Sequence, residues 1–597
     1  AAALRRAHAT LARVARSDDA RARHLGGATE GRHENVAAAL EAAAAAARDR
    51  GATLDASALY ERAGALTPED RPADALRRST LAADCLLVDL SEPVQADAIL
   101  ERAVRSGPPG PARAEALSLR ALTRYYHGDL PAALALADQA VAEAGGSSPA
   151  DRAARVLVLG RAAFVVMQVD LRRGQSLVRE GLELGDGASG VHPDVIANLL
   201  LLDASATFGL IEGLRADEIE RGRRLLDPNG RSWEHDGVDG IDFGLARATD
   251  DLDRAIEMTQ VHIGRKAGPG GVDPFNLVML SELQLRRGDV VGARVSATAA
   301  DEGYAREGAD VFPAWRLRGL AFVAAHDGRH DEARRWSTEG LALAAQRRDL
   351  VQQLYHHQIL GFVALVDGDA RTADAHLSAA AELALAAGTV HPGRFKLDGD
   401  RIEAALALGD HARAGEIVER LEHVNDVAPT PWTRAIGARG RGSIQAATGD
   451  LDGARASLER ALHEHDALPM PFERARTLLA LGQVHRRRKE KRLADERLRE
   501  AISMFEALEA SAWAARARAE LGRVGRRPVA VAELTDTEQR VASLAATGLT
   551  AREIGEMAFL APKTVGNVLG RVYQKLGIHS RAELGARLGG SAGDRSG

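Results

Sequence analysis

The sequence predicts an all-α protein in which a long array of helical hairpins is followed by a compact four-helix domain. Three observations support this prediction: glycines that recur about every 40 residues, an alanine-rich and charge-rich composition, and a group of helix start signals near the C-terminus. Aromatic residues make up only 4% of the 597 residues. Helices packed through small side chains therefore fit the composition better than cores built on large aromatic anchors.

The repeat period can be measured from glycines that stand between helical patterns. Five of them are in register: Gly288, Gly328, Gly368, Gly409 and Gly449. Their successive spacings are 40, 40, 41 and 40 residues, and Gly128 lies four such periods before the first of them. A glycine at this place ends the first helix of a hairpin, and an alanine near the start of the second helix, such as Ala293 or Ala373, lets the two helices approach.

Hairpins of this kind bury their apolar faces by stacking on their neighbours. About twelve of them, from Glu34 to Arg523, would form a superhelical array with a concave inner wall. The pattern resembles the tetratricopeptide class, although its period exceeds the roughly 34 residues usual there. We expect irregular loops at residues 185–190, 227–240 and 268–271.

Near the C-terminus, three capping boxes mark helix starts. A hydroxyl residue is followed three residues later by glutamate in the pairs Thr535 and Glu538, Thr550 and Glu553, and Ser580 and Glu583. Pro562, at a first helical position, opens a further helix that runs to about Leu576. The pattern predicts a compact helical unit that can read DNA.

The helix that begins at Pro562 carries two stripes. The first stripe, predicted to pack, contains Val565, Leu569, Val572 and Leu576. The second, predicted to face outward, contains Thr564, Val568, Arg571 and Lys575. With Lys563 and Asn567, the outward stripe offers cations, a hydroxyl and an amide to phosphates and base edges in the major groove of DNA.

The residues of this unit resemble the LuxR-type helix-turn-helix domain over some 55 residues. The matching segments are Leu534-Thr535, Gly548-Leu549-Thr550, Lys563-Thr564-Val565, Lys575-Leu576-Gly577 and Ser580-Arg581-Ala582-Glu583-Leu584. The resemblance implies a scaffold helix at 535–547, a second helix at 550–558, a recognition helix at 562–576 and a last helix at 580–588 that makes the dimer contact.

Site residues follow from the stripe and the resemblance together. The predicted DNA contacts are Thr550, Arg552, Lys563, Thr564, Val565, Asn567, Val568, Arg571, Lys575 and Arg581. The predicted dimer contacts are Arg581, Leu584, Arg587 and Leu588.

Four positions depart from the family pattern. Ala561 stands where the family has a capping Ser or Thr, which costs about 1 kcal/mol of helix stability. Gly566 and Gly570 each cost about 1 kcal/mol relative to Ala inside a helix, and Val568 stands where the family usually has His. We expect a softer recognition helix with fewer phosphate contacts.

The combination of a hairpin array with this domain resembles the large ATP-binding (MalT-like) subgroup of LuxR-type regulators, whose plan adds an N-terminal nucleotide-binding module. The phosphate-loop motif of that module does not occur in this sequence. We therefore expect no cofactor and no ATP hydrolysis in this chain, with ATP bound only by an upstream module. The chain begins at Ala1, so we expect it to be the C-terminal piece of a longer protein.

The expected division of the chain has five parts. Residues 1–30 would be a helical remnant that links to an upstream domain, 31–521 the repeat array, 522–533 a hinge, 534–590 the helix-turn-helix domain and 591–597 a disordered tail.

Charge and cysteine content indicate the compartment and the kind of partner. From Thr535 onward the chain carries eight basic and six acidic residues, a net charge of +2. Since the whole chain has a net charge of −6, the residues before Thr535 carry −8. One local nucleic-acid contact suits this distribution. The single cysteine, Cys85, and the lack of a signal or membrane-spanning pattern favour the cytoplasm.

Other patterns favour structural interpretations. His356, His357 and His376, and His326 with His330, lack the partner set of a metal site and are expected to pack or to lie on helix surfaces. The stretch 437–442 is glycine-rich but follows no strand, so we expect close helix packing. The run 485–492 is expected to be a solvated charged turn, with auxiliary DNA contact as the alternative. No catalytic constellation is evident, so we expect no enzyme.

The leading hypothesis is a DNA-binding transcriptional regulator, expected to be an activator. Its array would sense an effector or partner protein and control paired readers, as a homodimer on double-stranded promoter DNA, with RNA polymerase as a further candidate partner and no membrane contact. The alternative is an interaction scaffold whose degenerate helix-turn-helix serves dimerisation.

Overall fold

The computed structural model describes residues 2–89, 92–126, 129–226, 233–266, 274–307, 313–524, 534–576, 578, 580, 581, 583 and 584. Every regular element in these ranges is helical. The chain divides into two compact units, Ala1–Arg518 and Ala519–Gly597. Each unit is described by itself.

In the part of the array that the structure describes there are twenty-seven helices, most of them paired into hairpins. The first fourteen are α1 (Ala2–Val14), α2 (Asp18–Ala28), α3 (Glu34–Asp49), α4 (Thr53–Leu66), α5 (Pro72–Asp84), α6 (Pro93–Ser106), α7 (Pro111–Tyr126), α8 (Leu130–Glu143), α9 (Pro149–Val166), α10 (Leu171–Gly185), α11 (Pro193–Gly209), α12 (Ala216–Leu225), α13 (Trp233–Ala248) and α14 (Leu252–Lys266). A π-helical segment, Cys85–Asp89, follows α5 directly.

The remaining helices of the array follow the measured period. They are α15 (Pro274–Arg287), α16 (Val290–Glu307), α17 (Pro313–His326), α18 (His330–Gln346), α19 (Leu350–Val366), α20 (Ala370–Ala386), α21 (Asp398–Ala407), α22 (His411–Val427), α23 (Pro431–Thr448), α24 (Leu451–Glu464), α25 (Pro471–Arg487), α26 (Lys491–Ala507) and α27 (Ser511–Leu521). A short 3-10 helix, Pro392–Arg394, lies between α20 and α21.

The predicted turn glycines stand where the backbone requires them. All five have a positive φ: Gly288 (97°), Gly328 (87°), Gly368 (84°), Gly409 (77°) and Gly449 (98°). The aspartate after the glycine often caps the second helix, as where Asp450 accepts a hydrogen bond from the Gly453 amide at 2.9 Å. Lys489, with φ 64°, takes the place of the glycine in the next turn. The period of about 40 residues is thus confirmed.

Small residues let the two helices of a hairpin approach, as predicted. The alanines near the start of the second helices are fully buried: Ala133, Ala293, Ala333, Ala373, Ala414 and Ala454. The glycine-rich stretch 437–442 lies inside α23. A Cβ on Gly440 would lie 2.7 Å from Val418, and one on Gly442 would lie 2.7 Å from Leu458. Close packing, not a phosphate loop, explains these glycines.

First helices of neighbouring hairpins contact one another along much of the array, for example α15 with α17 and α17 with α19. Such contacts are expected on the inner side of a curved stack. Residues that are far apart in the sequence also contact one another on the inner side. The Trp432 amide donates to Asp250 at 2.7 Å, and Arg247 donates to the Tyr355 hydroxyl at 2.9 Å. Buried polar contacts thus join distant parts of this inner face.

The N-terminal stretch begins the stack instead of standing apart from it. Helices α1 and α2 form a hairpin, and α2 packs on α3. Of the three expected irregular loops, residues 186–192 connect α10 and α11. Residues 233–240 of the second expected loop belong to α13, which corrects that part of the expectation. Residues 227–232 and 268–271, like most of the hinge and the C-terminal tail, lie outside the described residues.

The histidines singled out in the sequence pack among helices. His326 stacks on Phe362 with ring centroids 4.6 Å apart, and His356 is fully buried. His357 and His376 lie with their Nδ1 atoms 2.9 Å apart. Across the described ranges, no group of three or more metal-ligating side chains comes together, and no helix is long and apolar enough to cross a membrane.

Candidate nucleic-acid interface

Three helices frame the interface in the second unit. They are α28 (Asp536–Ala546), α29 (Ala551–Ala558) and α30 (Pro562–Leu576). The capping boxes at Thr535 and Thr550 are both formed: each hydroxyl accepts from the amide of the glutamate three residues on, and each glutamate accepts from the threonine amide. The Glu583 amide donates to the Ser580 hydroxyl at 3.3 Å, which is half of the third box.

The turn between α29 and α30 is tight and exposes an aromatic ring. A Cβ on Gly555 would lie 2.5 Å from the Leu560 carbonyl oxygen, so only glycine fits there. Phe559 ends α29 in the left-handed region, at φ 55°, and is 91% exposed. Neither Gly555 nor Phe559 was among the residues predicted from the sequence. A helix-turn-helix bend needs a small residue one turn before it, and this requirement could have identified Gly555 from the sequence.

The buried face of α30 holds this domain together. Its core consists of Val541, Ala542, Ala545, Ile554, Val565, Val568, Leu569, Val572, Ile578 and Leu584. Three predictions are corrected by this list. Val565 and Val568 are 0% and 3% exposed, so they pack inward and cannot reach base edges, and Leu584, at 0%, packs within its own domain instead of being free for a dimer contact.

The position of Val568 has a geometric cause. It lies three residues after Val565 and four before Val572, so it continues the same apolar stripe. An apolar side chain there adds to the core, and its effect is on packing more than on phosphate contacts.

The exposed face of α30 is a different set of residues. Lys563, Thr564, Gly566, Asn567, Gly570 and Arg571 are all exposed. These positions follow one another at helical spacing and define what we call the reading face. A Cβ on Gly566 or Gly570 would meet no atom within 4 Å, so neither glycine is needed for packing.

Two of the predicted cations are already engaged inside the domain. Lys575 forms an ion pair with Glu538, whose pKa falls to about 2 mainly because of the hydrogen bond from Lys575 and secondarily because of the Thr535 amide. Arg581 donates from its Nε to the Ala545 carbonyl oxygen at 2.9 Å and also donates to the Leu549 carbonyl. Lys575 fastens α30 to the start of α28, and Arg581 fastens its own segment to the end of α28 and to Leu549.

The other predicted side chains are freer. Arg552 lies 3.4 Å from Glu556 in an exposed pair, and the exposed Thr550 is occupied with its capping box. Within the described part of the chain, Lys563 and Arg571 have no ion-pair partner. Arg587 and Leu588 lie outside the described residues. The reading face therefore offers two uncommitted cations and one amide to a polyanion.

The comparison with protein families decides what this unit is. The family model described as bacterial regulatory proteins of the luxR family matches residues 532–586. These residues form a LuxR-type DNA-binding domain. The match covers the capping boxes and α30, and transcription regulation follows from it for this part of the chain.

Two solved structures are similar to large parts of the chain. The Cut9–Hcn1 hetero-tetramer of the APC/C matches with a TM-score of 0.44 and 12% identity over 89% of this chain and 95% of that one. A Rap protein complexed with competence and sporulation factor matches with a TM-score of 0.33 and 13% identity over 62% of this chain and 97% of that one. No curated protein sequence matches the chain. At these similarities no function is transferred to the array.

Proposed function

We propose that this protein is a transcriptional activator of the large ATP-binding LuxR-type subgroup, in which the hairpin array senses an effector or a partner and controls the LuxR-type domain. The observation that supports this most directly is the reading face. It carries Lys563, Asn567 and Arg571 on an exposed helix flank whose opposite side is packed into the domain core.

The reading face fits the major groove for physical reasons. Lysine and arginine bind phosphate oxygens or guanine edges, and asparagine pairs with adenine. Gly566 and Gly570 lie between these side chains and leave the helix backbone open to close approach. With only two free cations on each reading face, we expect weak binding by one domain, and pairing of two copies would double the phosphate contacts.

The array is the proposed sensing part. We propose that it acts without chemistry of its own: the chain turns over no substrate and takes up no cofactor. An effector or a partner protein would change how the array curves or self-associates, and so the availability of two readers for one palindromic promoter site.

A titration of full-length chain tests the DNA-binding part. A duplex selected from a random pool would be titrated at two salt concentrations by fluorescence anisotropy. We expect binding that weakens as salt rises, and a loss of affinity of about tenfold or more when Lys563, Asn567 and Arg571 are all changed to Ala.

Arg540→Ala is the matched control because it removes an exposed arginine of the same domain from α28 instead of α30. It should leave affinity nearly unchanged. Equal binding by the triple variant and the unmodified chain would refute the assignment of the reading face. Absence of DNA binding at both salt concentrations would favour an interaction scaffold. The buried Leu584 would not be available for the dimer contact expected of the helix-turn-helix domain in such a scaffold.

A further inference from the structure

Arg394 ends the 3-10 helix Pro392–Arg394 of the array and has no anionic partner. Its Nε is shielded from solvent and makes no hydrogen bond. Among the residues that the structure describes, no carboxylate lies within ion-pair distance of its guanidinium. The guanidinium carbon of Arg394 lies 5.8 Å from the centroid of the Phe395 ring, at cation–π distance. Arg394 is partly buried and arginine keeps its charge in proteins, so a cation without a carboxylate partner is held here.

The buried carboxylate that pairs with Arg247 is already shared. Glu282 is 4% exposed at its side chain and pairs with three arginines of the inner face. Arg286 lies 3.1 Å from it and Arg247 lies 3.4 Å from it, while Arg318 is in direct contact with the other oxygen. One negative charge therefore serves three positive ones. It cannot also neutralise Arg394.

The second buried carboxylate close in the sequence to this cluster is also occupied. Lys396 lies 2.9 Å from Asp250, and both side chains are almost fully buried. The ammonium also donates to the carbonyl oxygens of Arg247 at 3.1 Å and Gly393 at 2.7 Å. Those carbonyls belong to Arg247 and to the residue before Arg394, so the three cations lie in one region of the inner face. Cations exceed carboxylates there.

Hydroxyl groups complete the surroundings. The Tyr355 hydroxyl accepts from Arg247 at 2.9 Å, which leaves its own proton to donate. Burial lowers the pKa of Arg394, and the nearby charge of Arg247 lowers it further, while Tyr355 and Tyr125 act in the opposite direction. Arg247, Tyr355 and Tyr125 thus all act electrostatically on Arg394. One acidic residue, Asp349 at the start of α19, acts electrostatically on Tyr125. Burial raises the pKa of the Asp349 carboxyl.

We propose that Arg394, Arg247 and Tyr355 form a binding site for the oxyanion of a small molecule, a carboxylate or a phosphate, on the inner face of the array. The proposal rests on the sensing role given to the array above and supplies the chemical class of the effector. A planar guanidinium matches both oxyanions in a bidentate arrangement. The Tyr355 and Phe395 rings, with centroids 5.6 Å apart, pack beside these groups and are almost fully buried.

Thermal unfolding and calorimetric titration of the full chain test the site. Sodium phosphate and sodium benzoate would be compared with sodium chloride at equal ionic strength. We expect phosphate or benzoate to raise the unfolding temperature and to bind. Stabilisation by phosphate alone would identify a phosphate ligand, and stabilisation by benzoate alone a carboxylate ligand. If neither has an effect beyond that of chloride, the proposal is wrong.

Three variants make the test specific. Arg394→Gln should abolish the response to the anion and should itself unfold at a higher temperature without ligand, because an uncompensated charge is gone. Arg394→Lys keeps the positive charge but lacks the planar guanidinium that can bind two oxygens at once. This variant should bind the anion about tenfold more weakly. Arg335→Gln removes an exposed arginine from the outer helix α18 and should respond like the unmodified chain. An unchanged anion response in Arg394→Gln would overturn the site.

The DNA titration described above separates the two proposals. Salt-sensitive DNA binding without any anion response leaves the regulator intact and removes only this site. An anion response that depends on Arg394, without DNA binding, leaves the site and removes the regulator.

Discussion

Single residues of the LuxR-type domain divide into cations that hold the domain together and cations that are free to bind. Lys575 and Arg581 belong to the first group, since one pairs with Glu538 and the other donates to two backbone carbonyls. Lys563 and Arg571 belong to the second group within the described residues. Position in a motif did not distinguish the two groups. Contacts across the domain did.

A prediction follows for Lys575 and Lys563. Lys563→Gln should lower the slope of log affinity against log salt by about one, because one phosphate contact is lost. Lys575→Gln should leave that slope unchanged and instead raise the pKa of Glu538 from about 2 toward its ordinary value of 4.5. Anisotropy titrations and carboxyl titration by NMR measure the two effects.

The sign of the pH effect can be stated for the same pair. Because the pKa of Glu538 is lowered in the folded domain, its contribution to stability is present above pH 4.5 and is lost as pH falls toward 2. Lys575→Gln should weaken this acid dependence. An equal loss of salt slope in both lysine variants would contradict the division into two groups.

At the scale of elements, α30 is a helix whose exposed side contains two glycines without a packing role. A Cβ on Gly566 or Gly570 would meet no atom within 4 Å, whereas one on Gly555 would lie 2.5 Å from a carbonyl oxygen. Glycine costs helix stability at the first two positions and is required by space at the third. The same residue type therefore has opposite roles within sixteen residues.

We expect Gly566→Ala and Gly570→Ala each to stabilise the LuxR-type domain by about 0.5–1 kcal/mol, since alanine restricts the unfolded chain and favours helix. Denaturant unfolding followed by circular dichroism would measure the change, provided that the domain transition is resolved from that of the array. If close approach to DNA needs bare backbone, the same variants should bind DNA more weakly.

Gly449→Ala serves as the contrast. Gly449 also has no atom within 4 Å of a Cβ, but its φ is 98°. Alanine there should destabilise the array by about 1–2 kcal/mol because of the backbone conformation alone. A destabilising effect of the same size at Gly566 would show that α30 is not the regular helix described here.

At the scale of the whole molecule, the array buries several histidines among its helices. His356, His391 and His465 are 0%, 1% and 4% exposed. Burial lowers their pKa values to about 4, about 4 and about 3, with nearby arginine or lysine charges adding to the effect. These histidines are neutral in the folded array and become protonated on unfolding in mild acid.

The array should therefore lose stability as pH falls from about 6.5 to 5. In this range the unfolded chain binds more protons than the folded chain, and each buried histidine contributes a slope of up to about 1.4 kcal/mol per pH unit. Urea unfolding of the full chain at pH 7, 6 and 5 measures it. His391→Gln, which removes one of the three groups, should reduce the slope, and a stability that is flat across this range would contradict the neutral state of these histidines.

Local signals determined much of this protein in the sequence alone. The period, the turn glycines, the buried alanines of the second helices and the starts of α28, α29 and α30 depend on backbone conformation and on residues at most a few positions apart. Such short-range constraints are visible in one chain. The luxR-family match at residues 532–586 agrees with the resemblance seen in those residues.

Long-range contacts decided the rest. Lys575 and Arg581 are engaged by residues 32 to 37 positions away. The inner side of the array is joined over longer separations, as in the pair of Arg247 and Tyr355, 108 residues apart. Helical spacing gives the face of a residue relative to its own helix but not what that face meets. The missing partner of Arg394 became visible only when all the carboxylates around it had been placed.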